Sequence, residues 1–152
     1  MHNRREMIAR SVAVGAALAS AGMLPARAQA AWNKAAFEAK SMDDALKALG
    51  TAKPVESGEV TLTAPDIAEN GAVVPIGAST SLPNVKQIAF FVEKNPTPLA
   101  GSFSFTDAVE PNVATRVKMA QTSNVFAVAL LQDGRTLFAR KEVKVTLGGC
   151  GG

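Results

Sequence analysis

The chain has 152 residues, of which 47% are apolar, with a single histidine, a single cysteine and no tyrosine. Its formal charge of +3 comes from residues 1–30: Arg4, Arg5, Arg10, Arg27 and Glu6 lie there, and taking them from 16 basic and 13 acidic residues leaves 12 of each. A neutral body gives no electrostatic case for nucleic acid or an anionic membrane surface. The lone histidine, His2, falls in the same segment, so the body lacks Ser-His-Asp or Cys-His catalysis and the usual zinc and haem ligand sets. It also has no glycine-rich phosphate loop between a strand and a helix.

Residues 1–30 read as a targeting segment. Arg4 and Arg5 form a twin-arginine pair, and Ser11 to Leu24 is a mildly apolar, alanine-rich stretch broken by Gly15 and Gly22. Ala28-Gln29-Ala30 fits a small-residue cleavage site. The stretch is too short and too alanine-rich for a membrane span. An ordinary secretory signal shares this general pattern. The paired arginines and Arg27 beside the cleavage site favour the twin-arginine route and a periplasmic destination.

Residues 31–50 are predicted to be helical. Ser41 and Asp44 resemble a capping box opening Met42 to Leu49, and Gly50 stops the helix. Whether Ala31 to Leu49 makes one helix or two is open at this stage. Trp32, Phe37, Leu46 and Leu49 are the expected packing residues.

After Gly50 the apolar period changes to two, and residues 51–147 read as a β-sandwich domain. Val60 to Ala64 alternates. Val73 to Ser79 contains Pro75, which predicts an edge strand or a bulge. Val85 to Lys94, Gly101 to Thr106 and Val113 to Met119 follow as half-buried strands. Phe90 and Phe91 should point to opposite faces, one to the core and the other to a partner subunit. Val125 to Leu131 is apolar on both faces and should be central. Asp133-Gly134 is a hairpin signal leading into the long alternating run Leu137 to Leu147. Lys141, Glu142 and Lys144 are expected on a solvated face, with a docking surface beside the arm as the alternative, and Asn70-Gly71 and Asn95-Pro96-Thr97-Pro98 in turns. Seven short strands separated by turns predict a mainly β, immunoglobulin-like antiparallel sandwich, without the Cys…Trp…Cys signature of antibody domains.

Residues 148–152 are Gly148-Gly149-Cys150-Gly151-Gly152, so the only cysteine stands between two pairs of glycines. Such a tail is expected to be slim and flexible. Five extended residues reach at most about 17 Å, enough to carry a sulfur into another protein's pocket. In an oxidising compartment a lone cysteine is free, joined to another chain, or chemically loaded. With no Lys, Arg or His in the tail, Cys150 has no local cause for a depressed pKa. The expected reactivity is modest until a partner activates it.

Several stretches carry a family resemblance: Lys144-Val145-Thr146-Leu147 followed by the glycine-flanked cysteine, Pro65-Asp66-Ile67-Ala68-Glu69-Asn70-Gly71 with Val74-Pro75, Asn95-Pro96 with Pro98-Leu99, and Ala120-Gln121 with Asn124-Val125. Together they resemble the SoxY family, the sulfur-carrier subunits of the bacterial Sox thiosulfate-oxidising system. The resemblance covers essentially all of the chain beyond residue 30. It implies that Cys150 is the covalent attachment point for sulfur intermediates (S-thiosulfonate, persulfide and S-sulfonate) and that Gly148, Gly149, Gly151 and Gly152 form a swinging arm.

It further implies a heterodimer with a small sandwich-fold, SoxZ-like subunit. Transient partners would be a c-type cytochrome, a sulfate-releasing hydrolase and a sulfane dehydrogenase. No permanently bound cofactor, no metal and no catalytic site of its own are expected. Three other readings stay open from the residues alone. They are a structural thiol, an immunoglobulin-like module disulfide-linked to a partner chain, and a ubiquitin-like carrier activated at its terminal glycine.

Overall fold

A computed structural model describes residues 32–51 and 53–147. Two short helices precede nine strands: α1 Lys34–Glu38, α2 Met42–Ala48, β1 Val55–Glu56, β2 Val60–Thr63, β3 Ile67–Asn70, β4 Val74–Thr80, β5 Val85–Val92, β6 Leu99–Ser104, β7 Asn112–Val117, β8 Ser123–Leu131 and β9 Thr136–Leu147. The open question about the helical segment resolves as two helices. Each has its own N-cap, with Asn33 Oδ1 accepting from the Ala36 N–H at 3.1 Å and Ser41 Oγ accepting from the Asp44 N–H at 3.1 Å. The expected stop at Gly50 is a Schellman turn. Gly50 has φ +72°, its N–H donates to the Lys47 carbonyl, and the Thr51 N–H donates to the Leu46 carbonyl.

The strands form two sheets. The smaller has the order β2-β4-β7, all antiparallel. The larger has the order β1-β9-β8-β5-β6, with β3 also pairing β9. All seven predicted strands are present. The two additional ones, β1 and β3, span two and four residues and pair parallel with β9. β1 is too short to display a period of two, and β3 places Ile67 and Ala68 side by side with only Ala68 buried, so alternation does not reveal them.

Two cores lie on the two faces of the larger sheet. Between the sheets pack Val60, Val74, Ile76, Ile88, Phe90, Val125, Ala127 and Val143. Phe90 faces Ala127 across the β5–β8 ladder, and that small neighbour leaves room for its ring, which meets Phe103 edge-on at 6.1 Å. On the opposite face Phe91, Phe126, Val128 and Leu130 lie beneath Ala36, Ala45 and Leu46 of the helices. This corrects the expectation that one of Phe90 and Phe91 lies in the core while the other meets a partner subunit: both are 0% exposed, because the helices already cover Phe91. Leu46, Leu49 and Phe37 join this second core, whereas Trp32, expected to pack, is 63% exposed. Central β8 contributes to both cores, as its doubly apolar sequence predicted.

Pro75 does not mark an edge strand, because β4 is the middle strand of its sheet. The proline is tolerated because β2 covers only Gly77 to Thr80, while Pro75 pairs with Arg116 of β7 on the other side. Its missing N–H therefore falls beyond the end of β2. Asp133-Gly134 makes the predicted hairpin, with Gly134 at φ +89°. The Gly134 N–H donates to the Leu131 carbonyl and the Leu131 N–H to the Arg135 carbonyl, a short loop closed by a left-handed glycine.

Candidate functional site

β9 leads directly into the glycine-flanked cysteine, so the end of β9 fixes where that cysteine starts from. Cys150 itself, Gly148, Gly149, Gly151 and Gly152, and Arg4 and Arg5 of the expected signal all lie outside the described residues. The described part of the site is therefore the base of the tail.

β8 pairs with β9 only as far as Ser123 opposite Val143. Past that point β9 runs on for four residues, and β3 takes over as its partner. Ile67 lies opposite Lys144, Ala68 opposite Val145 and Asn70 opposite Leu147. The Lys144 N–H donates to the Asp66 carbonyl at 3.0 Å, and the Gly71 N–H donates to the Leu147 carbonyl at 2.7 Å. Thr146 Oγ1 donates to the Glu69 carbonyl at 3.0 Å. On the edge that β8 has left, Thr122 Oγ1 accepts from the Val145 N–H at 2.9 Å. Side-chain hydroxyls and a four-residue strand thus replace a full ladder, and they keep the backbone extended up to Leu147.

One side chain braces this arrangement from below. β1 and β3 flank β9 near its two ends, pairing from Leu137 to Phe138 and from Lys144 to Leu147. Lys141 sits in the gap between them, in the same register as Leu137, Val143 and Val145, which face the inter-sheet core. Its Nζ donates to the Ala64 carbonyl at 2.7 Å and pairs with Asp66 Oδ1 at 2.9 Å. Both partners belong to the linker that carries the chain from β2 in the small sheet to β3 in the large one. The hydrogen bond from Lys141, with its charge second, holds the Asp66 carboxyl below its ordinary value of 3.8.

This corrects the expectation that Lys141 lies on a solvated face. Its side chain is 37% exposed against 87% for Asp66, and its ammonium is engaged. An inward-pointing charge in the unpaired stretch of an edge also discourages another chain from adding there. The signal was present in the sequence: in the alternation Leu137, Ala139, Lys141, Val143, Val145, Lys141 is the one charged residue. Glu142 and Lys144 are exposed, as expected.

Two loops complete the surroundings. Asn95 does more than turn the chain: its Nδ2 donates to the Lys118 carbonyl at 2.7 Å and its Oδ1 accepts from the Ala120 N–H at 3.0 Å. The Met119 N–H donates to the Gly71 carbonyl at 2.7 Å. Asn70 forms the expected turn, with its Oδ1 accepting from the Ala72 N–H. Leu147 and Val73 remain 70% and 55% exposed at this end of the sandwich. Among the described residues no three His, Cys, Asp or Glu side chains cluster in a manner suited to a metal. Nor is any helix among them long and apolar enough to cross a membrane.

The profile of the family described as "Sulfur oxidation protein SoxY" matches residues 45–150, a span that ends on the cysteine. The sulfur carrier protein SoxY from Chlorobium limicola f thiosulfatophilum has a similar structure, with 38% identity and a TM-score of 0.63, over 70% of this chain and 97% of that one. A superoxide reductase (neelaredoxin) from Ignicoccus hospitalis shares the fold alone, at 21% identity and a TM-score of 0.51 over 57% of this chain and 79% of its own. So does a putative superoxide reductase from Thermotoga maritima, at 18% identity and a TM-score of 0.50 over 61% and 87%. A comparison with curated proteins returns no match. A family match over most of the chain, together with a mainly β sandwich like that of a solved relative, places this protein in the SoxY family of sulfur oxidation proteins.

Proposed function

We propose that the protein is a periplasmic sulfur carrier that holds thiosulfate-derived groups covalently on Cys150 while partner enzymes process them. The observation that carries this reading is position. The only cysteine closes the span matched by the family profile and stands three residues beyond a strand end held by β3, Thr122 and Gly71. The solved relative with 38% identity is itself described as a sulfur carrier protein.

In the proposed cycle the Cys150 thiol and thiosulfate form Cys–S–S–SO₃⁻, releasing two electrons and a proton, and a c-type cytochrome partner takes the electrons. Water then cleaves the terminal S–S bond in a hydrolase partner and releases sulfate, leaving a persulfide. A sulfane dehydrogenase removes six electrons, with three waters supplying oxygen, to give Cys–S–SO₃⁻. A second hydrolysis returns the thiol and a second sulfate. Each step belongs to a partner, so this chain contributes a tether and no catalytic group or resident cofactor. Covalent attachment keeps reactive sulfur from diffusing away, and docking sets its effective concentration at each enzyme.

The first thirty residues are proposed to direct folded protein through the twin-arginine route, in complex with a SoxZ-like sandwich subunit. Glycines on both sides of Cys150 remove the bulk that would bar entry to a narrow channel.

Genetic complementation tests the reading. In a thiosulfate-oxidising host lacking its own carrier, the wild-type chain restores thiosulfate-dependent oxygen uptake and Cys150→Ser restores none, although both accumulate to the same level. Restoration by Cys150→Ser would end the proposal.

A further inference from the structure

The outer face of the small sheet is open, while the outer face of the large sheet is covered by helices. Along that open face Thr63, Pro75, Ala114 and Arg116 are exposed, and they border a trough of about 640 Å³. The trough exists because Gly77 lies opposite Ala114 in the β4–β7 register. A Cβ on Gly77 would stand 3.3 Å from the Val113 carbonyl oxygen, so even alanine would crowd it.

Within the three strands of this face the charge has one sign, while Asp66, paired with Lys141, and Glu110 lie in the loops beside it. β2, β4 and β7 contain no Asp or Glu. Arg116 lines the trough, and Lys118, two residues further on, continues the same exposed alternation. Neither cation has an ion-pair partner among the described residues, where the pairs involve Lys34, Lys47, Arg135, Arg140 and Lys141.

The position of the trough relative to the tail supplies the occupant. Leu147 is hydrogen-bonded to Gly71, and Gly71 in turn to Met119, each at 2.7 Å, so the strand end lies two backbone hydrogen bonds from the neighbour of Lys118. Arg116 stands three residues before Met119, roughly 10 Å along the strand. From Leu147, Gly148 to Cys150 reach at most about 10 Å. A Cys–S–S–SO₃⁻ group with disulfide-like bonds of about 2 Å and a long basic side chain close the remainder.

We propose that the loaded segment Gly148–Cys150 folds back onto its own body, its terminal sulfonate resting between Arg116 and Lys118 at the mouth of the Gly77–Ala114 trough. This rests on the carrier reading above for its biological meaning. The site is a resting station between enzymes. Exposed ion pairs are individually weak, so the arm is retained a few-fold and still released to partners.

Nuclear magnetic resonance on the chain tests this without any Sox enzyme. Tetrathionate loads Cys150 chemically: the thiolate attacks an inner sulfur, displaces thiosulfate and leaves Cys–S–S–SO₃⁻. Loading is expected to shift the backbone amides of Gly77, Ala114, Arg116 and Lys118, independently of protein concentration. The shifts should fall about threefold in half-molar salt, where the screening length is only a few ångströms, and by a similar factor in R116Q/K118Q. Intact mass confirms loading and the amide spectrum confirms the fold of each variant. Shifts confined to Gly71 and residues 145–147, shifts unchanged in R116Q/K118Q, or shifts that grow with protein concentration (a second copy's arm) would each overturn the proposal. Because loading is chemical, that failure is distinct from failure of the complementation experiment, which alone tests the carrier role.

Discussion

The two ends of β9 are held by different physics. Its first eight residues, Thr136 to Val143, run antiparallel to β8 and contribute to both cores, and Val143 is 0% exposed. Its last four pair with a short parallel strand and a threonine hydroxyl, and Leu147 is 70% exposed. Burial of apolar area secures the first end, and placed hydrogen bonds secure the second. A carrier gains from this division. On the carrier reading proposed above, the core is secured away from the tail, and the strand end keeps its direction without being buried against anything a partner would have to displace.

Substitutions can separate the two ends, and the largest effect belongs to the buried one. Val143→Ala removes methyl groups from the inter-sheet core and should lower unfolding free energy by about 2 kcal/mol in urea titrations. Leu147→Ser should change it by less than about 0.5 kcal/mol. Equal losses would mean that the strand end is part of the core after all.

Next comes Thr122→Val, which leaves the Val145 N–H without its acceptor. The expected cost is about 1 kcal/mol, with the Val145 amide exchanging hydrogen faster while the Val125 and Val128 amides keep their protection. Uniform acceleration across β8 and β9 would show that the hydroxyl supports the whole sheet and not its end.

The smallest effect concerns Lys141 and Asp66. Because the folded state depresses the Asp66 carboxyl, its contribution is complete above the ordinary value near 3.8 and is lost as pH falls through the lower folded value. Amides from Lys144 to Leu147 should therefore lose protection on acidification through that window, before the core does. Asp66→Asn should remove this pH dependence. A profile identical in Asp66→Asn would assign the loss to other carboxylates.

Much of the sandwich was legible in the sequence, since strands half-buried on one face write a period of two and the central strand a continuous apolar run. Val125 to Leu131 and the Asp133-Gly134 hairpin belong to that legible part. β1 and β3 were not legible, because β1 has only two residues and Ile67-Ala68-Glu69-Asn70 does not alternate, although both pair with β9. The partner-facing role expected for one of Phe90 and Phe91 fails because alternation assigns a residue to a face without saying what covers that face, and over Phe91 it is two helices from the start of the domain. The cysteine stood out by its glycine neighbours. What braces its base, Lys141 reaching to the β2–β3 linker, depends on a contact between residues 77 apart in sequence, which only the folded chain brings together.

The most direct measurement is the intact mass of the protein isolated from thiosulfate-grown cells, before and after reduction, with Cys150→Ser as control. A covalent carrier shows adducts of sulfur and sulfonate mass on Cys150 that reductant strips and that Cys150→Ser lacks. A thiol that is always bare, or found only in a disulfide with one partner chain, would contradict the account and leave a binding module in its place.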